Sequence, residues 1–130
     1  MLKQNFDDLA RFILRVSLST MMLTHGIPKL TKLLSGNFGF ADPIGLGSTV
    51  SLFLAVGAEF FCSILVMIGY KVRMSSIPLI ITMAVAAFIV HASDPWKKQE
   101  FALLYFFGFI VIALLDSGRF SLDSFLSRKK

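Results

Sequence analysis

Five residues able to carry charge or a proton stand inside or at the rim of greasy segments: His25, Lys29, Glu59, His91 and Glu100. Imidazole and carboxylate groups exchange protons near neutral pH, and an ammonium holds an anion or polarises a carbonyl. Two histidines and a carboxylate (His25, Glu59 and His91) are also a recognised metal-ligand set, although no close-spaced pair of ligands supports them. Their settings add detail. His25 and Lys29 belong to "LTHGIPKL", where Pro28 cannot donate to Thr24 and predicts a kink in the helix. Gly26 allows a backbone or a ligand to come close. Each residue also has a plain reading. Polar side chains can serve as hydrogen-bond glue between helices, and Lys29 can extend outward to the interface. Met21, Met22 and Met83 read as packing residues, and Cys62 as a small core residue.

The elements that must hold these groups are helices in lipid. The chain of 130 residues is 55% hydrophobic and only 16% charged, with mean hydropathy +0.75. A soluble globule of this size cannot bury so much apolar surface. Four apolar runs, approximately 9–34, 48–69, 75–92 and 100–117, approach the ~20 residues that a bilayer helix requires. Between the first two lies the loop "SGNFGFADPIGLG". "YKVRM" reads as a tight basic turn, and "SDPWKKQ" as a polar turn with Trp96 at the interface. No short apolar core is followed by a small-residue cleavage site, so no cleaved leader is expected. The net charge of +5 does not signal nucleic acid, because the basic residues sit as anchors at the ends of apolar runs. Cys62 is the single cysteine, which rules out an intrachain disulfide.

Counting Lys and Arg sets an orientation. Nine lie on the side of the termini and the "YKVRM" turn, four (Lys29, Lys32, Lys97, Lys98) on the other. Both termini are therefore expected in the cytoplasm. Counting from the basic anchors places His25 and Glu59 at roughly 21 Å, and His91 and Glu100 at roughly 27–29 Å, from the cytoplasmic side. Ser51, Ala55, Ala58 and Cys62 form a small-residue stripe beside Glu59, and Met83, Ala84 and Ala87 share a face with His91. The expected architecture is an all-α, integral membrane four-helix bundle forming one domain over 1–130. Its candidate pocket opens outward and holds His25, Gly26, Lys29, Glu59, His91 and Glu100. His25 is expected to point at Glu59 and His91, and Lys29 to hold Glu100 or a bound anion. A carboxylate at the depth of Glu59 is disfavoured as an ion unless His25 or Lys29 pairs with it. In the tail, Gly118 is expected to end the fourth helix. Ser121 then caps a short amphipathic segment whose face is Leu122, Phe125 and Leu126.

"RFILRVSLSTMMLTHGIPKL", "GFADPIGLGSTVSLFLAVGAEFFCSILVMIGYKVRMSSIPLI", the His and Glu flanking the third loop, and "SGRFSLDSFL" together resemble the DoxX family. No single motif is specific; the ordered set is, and it spans nearly the whole chain. The resemblance implies a small multi-pass protein of a bacterial-type inner membrane, with relatives associated with quinone-reducing and other membrane redox complexes. It transfers fold better than chemistry. Three readings follow. One is a redox-associated subunit handling a quinone or related small molecule, with Glu59 and His25 as proton-handling groups and Phe38 and Phe40 covering the entrance. The second is a non-enzymatic module, either a partner subunit or a small-solute or proton conductor. The third is a metal or haem site. The chain has no CxxCH, no cysteine cluster and no nucleotide-binding glycine motif, so on the first reading electrons come from a redox partner or a bound cofactor. The lipid bilayer is the expected surrounding, and assembly into a homo-oligomer is left open.

Overall fold

The computed structural model describes all residues, 1–130, and contains helices and no strand. We label the helices α1 (Leu2–Leu34), α2 (Ser48–Ile68), α3 (Val72–Val90), α4 (Trp96–Leu115) and α5 (Leu122–Arg128). The four long helices pack in a ring: α1 touches α2 and α4, and α3 touches the same two. At the centre Met22, Val66, Val72, Leu79, Met83, Phe109 and Ile112 form the apolar core. Only 23 of the 130 residues are buried. The outer faces instead carry Phe53, Phe61, Ile77, Phe88, Leu104, Phe107 and Leu114, all exposed. Apolar surface of that extent belongs in lipid.

Three helices, α2, α3 and α4, are long and apolar enough to cross a membrane. α1 is not among them, although it has 33 residues. Its charges explain this, for Asp8, Arg11, Arg15, Lys29 and Lys32 all lie along it.

The helices extend beyond the expected apolar runs. α1 begins at Leu2 rather than near 9, α3 at Val72 rather than 75, and α4 at Trp96 rather than 100. Hydropathy marks where a run becomes greasy, whereas the backbone ladder continues through polar residues at the interface. Pro28 does not end α1, which continues as helix to Leu34. α4 stops at Leu115, three residues before Gly118, and positive φ occurs at both Asp116 (62°) and Gly118 (71°). Ser121 caps α5 by accepting from the Ser124 N–H at 3.2 Å, as its position predicts. Two wide, π-helical turns interrupt the regular ladder, at Gly57–Cys62 in α2 and Ala86–Val90 in α3. Such turns displace side chains from the α-helical register and concentrate at functional sites.

Candidate ligand-binding site

Gly26 sets the site by what it lacks. It is buried on α1, and a β-carbon there would press on the Glu59 carbonyl and lie 2.9 Å from the Phe60 nitrogen. Glycine thus lets the α1 backbone rest directly on the π turn of α2. That approach delivers Lys29, one helical turn further along α1, to the Glu59 carboxylate. The Lys29 ammonium donates to Oε1 at 3.0 Å and lies 2.8 Å from Oε2. Its third proton points toward the His25 carbonyl at 3.4 Å, long for a hydrogen bond. Glu59 is 4% exposed, so the pair is an ion pair taken largely out of solvent. A buried carboxylate without such a partner would be costly.

Empty space flanks the pair on both sides. A cavity of about 510 Å³ lies among the long loop, α2 and α3, lined by Phe40, Ile44, Leu54, Ala58, Ile81 and Val90 among others. A smaller one of about 150 Å³ lies toward α1 and α4, lined by Met22, His25, Lys98, Phe101 and Tyr105 among others. Lys29, Glu59, Met83, Ala86 and His91 border both. The π turn of α2 places Glu59 on this common wall, and that of α3 begins at Ala86 on the same wall. The loop over the larger cavity is tied down by Asp42, whose Oδ1 accepts from the Gly47 N–H at 3.0 Å and the Ser51 hydroxyl at 3.3 Å.

The DoxX family model matches residues 10–92, from α1 to the end of α3 and the loop residue after His91. The chain belongs to the DoxX family. The match contains Gly26, Lys29, Glu59 and His91, and it stops before Glu100 and the "SGRFSLDSFL" tail, which the resemblance had included. Comparison with curated proteins and with solved structures gave no match. DoxX membership and the three apolar spans together make this a helical membrane protein.

In this DoxX chain the polar residues separate into two groups. His25, Lys29, Glu59 and His91 border the smaller cavity together. Lys29 takes Glu59 as its partner and not Glu100, which is exposed and lines neither cavity. His25 presents its ring edge-on to Tyr105, with centroids 5.6 Å apart, and hydrogen bonds to neither Glu59 nor His91. His91 instead pairs through Nδ1 with Asp94 Oδ2 at 2.7 Å. That bond, with Lys98 adding to it, holds the Asp94 carboxyl below the ordinary aspartate range. With Asp94 ionised, Nδ1 carries the shared proton, an assignment made from the partner, and Nε2 is the ring nitrogen turned away from that bond. No three His, Cys, Asp or Glu side chains converge closely enough to share a metal ion.

Two participants were not expected from the sequence. Asp94 was read as part of a polar turn, although its spacing of three from His91 would have signalled the pair. Tyr105 carries no motif that sets it apart from the other aromatics of α4.

A third polar group lies at the other end of the bundle. Arg15, expected to be an interfacial anchor, is 2% exposed. Its guanidinium donates to the carbonyls of Ser117, Phe120 at 2.6 Å and Met67 at 3.3 Å. These join α1 to the end of α2 and to the tail after α4. Gly69, at φ +80°, leaves room there for Ser121, whose Cα would lie 2.9 Å from a β-carbon.

Proposed function

We propose that this DoxX chain is a multi-pass inner-membrane component that holds a quinone or related lipophilic small molecule in the larger cavity for a redox complex. The observation that carries this reading is an apolar cavity of about 510 Å³ ending on a buried ion pair and an imidazole. Its size suits a small organic ligand, and its few convergent polar groups are the usual mark of a binding site. A quinone would supply two-electron, two-proton chemistry. The chain would orient it, with Lys29 as a hydrogen-bond donor and His91 Nε2 as an acceptor near its polar end. Glu59 would fix the ammonium in place, and Asp94 would fix the imidazole. Phe40 and Ile44 of the tied loop would shield the ligand from water. The electrons would come from a partner protein or a bound cofactor, since the chain has one cysteine and no cofactor motif.

We place the whole chain, 1–130, in one domain with four membrane-crossing helices and both termini in the cytoplasm. The Lys and Arg asymmetry supports that orientation. α1 would span about 50 Å at 1.5 Å per residue, and its charges in the bundle are matched: Arg15 by carbonyls, Lys29 by Glu59. α5 would lie on the cytoplasmic leaflet, its Phe125 and Leu126 in the lipid and its basic end at the phosphates. A second reading, a proton or solute conductor, draws support from the two cavities that meet at Lys29, Glu59 and His91.

Binding of a neutral short-chain quinone to the protein in lipid nanodiscs tests the first reading. Saturable binding that disappears on Ala86→Phe, which fills the common wall, is expected. Quinone partitioning identical to that of empty nanodiscs would refute it.

A further inference from the structure

The larger cavity has eighteen lining residues, and among them only Lys29, Glu59 and His91 can carry charge. Each is already answered. The Lys29 ammonium is engaged with both oxygens of Glu59, and His91 faces Asp94. The Lys29–Glu59 pair at the polar end of the cavity is therefore neutral as a whole before any ligand enters. Leu54, Ile81 and Val90 line the cavity and are also exposed, so an apolar flank of the cavity lies open. An anionic head arriving there must compete with Glu59 for Lys29 and would leave Glu59 buried without a countercharge. A cationic head must do the reverse. Either outcome carries the large penalty of an unpaired buried ion. A hydroxyl or carbonyl head disturbs nothing, because it can share one ammonium proton or meet the imidazole while the pair stays closed.

We propose that the larger cavity selects uncharged amphiphiles from the bilayer, and that the Lys29–Glu59 pair sets this choice by cancelling its own charges. This rests on reading the cavity as a ligand site, and it names the class of ligand without requiring a quinone. The charge rule also makes the pair a specificity determinant that can be inverted.

The test uses three probes with the same chain and different heads: decanol, decanoate and decylammonium. Each is offered at equal mole fraction in the micelle at about pH 8, where both ionic heads are charged. Retention on the intact protein is read by native mass spectrometry. The native chain should retain decanol about tenfold better than either ion. Glu59→Gln should move the preference to decanoate, and Lys29→Gln should move it to decylammonium. The exchanged pair, Lys29→Glu with Glu59→Lys, should restore decanol and so separates charge from folding. Should one single variant fail to fold, the other and the exchanged pair still decide the matter. Retention of either ion as well as decanol by the native chain, no retention of any probe, or an order unchanged in the variants overturns the proposal. A quinone that fails to bind while the charge order holds would instead count against the redox reading alone.

Discussion

Two cations on the same helix are satisfied in opposite ways. Arg15 spends its guanidinium on three backbone carbonyls from two other parts of the chain, and neither cavity reaches it. Lys29, fourteen positions further along α1, meets a side-chain carboxylate with open space on both sides. Carbonyls cannot move or change protonation, so the Arg15 contacts act as a clamp on the fold. The Lys29–Glu59 pair can be opened, shared or rebalanced by a visitor. Burial alone therefore does not mark a functional charge in a membrane helix. The kind of partner and the presence of adjoining space do.

The clamp should be the more costly of the two to break. Arg15→Met leaves three part-buried carbonyls without their donor, and about 3–5 kcal/mol of stability should be lost, the sum expected for hydrogen bonds to a charged group. Chemical unfolding in mild detergent reads this directly, and an unchanged midpoint would show that the clamp carries no weight. Ligand binding per folded molecule should be unaltered.

Gly26→Ala comes next, at about 3 kcal/mol, the upper end for overpacking, because its neighbours are backbone atoms that cannot swing aside. Unlike loss of Arg15, it should also abolish quinone binding, since α1 must lift away from Glu59. Retained binding in a stable Gly26→Ala protein would show that this close approach does not build the site.

Lys29→Met should cost about 2 kcal/mol, less than a fully buried pair, because the Lys29 side chain is about a quarter open to solvent. The double variant Lys29→Met/Glu59→Leu separates stability from function. An apolar pair can replace a buried ion pair at little cost, so most of the stability should return while neutral-ligand binding does not. Recovery of both would reduce the pair to packing.

The smallest effect concerns Asp94. Its carboxyl is held low chiefly by the His91 hydrogen bond, so its contribution is present above the unfolded value of about 4 and lost as pH falls through the folded value. His91→Ala should raise the Asp94 pKa toward the ordinary range, followed by carbon-detected NMR of labelled aspartate. An unmoved titration would mean that His91 does not orient Asp94.

The same contrast shows what could be read from residues alone. The three apolar spans, the long loop and the family were legible because hydropathy, turn residues and ordered motifs are local signals. The gathering of His25, Lys29, Glu59 and His91 was expected from their comparable depths, but the same count had included Glu100, which stands outside it. Partner choice was not legible. Lys29 takes Glu59 because Gly26 lets two backbones touch, a contact between residues far apart in sequence. Arg15 reads as an anchor in any one-dimensional account, because its acceptors are carbonyls, which every residue has. The π turns were equally hidden, having no fixed composition.

The most direct test of the account is photolabelling in native lipid with a neutral quinone bearing a diazirine, followed by peptide mapping. Labels are expected on residues 40–44, 54–58 and 81–90, competed by unlabelled quinone and removed by Ala86→Phe, with none around Arg15. Labels spread evenly over the lipid-facing surface, or gathered at the Arg15 end, would contradict it.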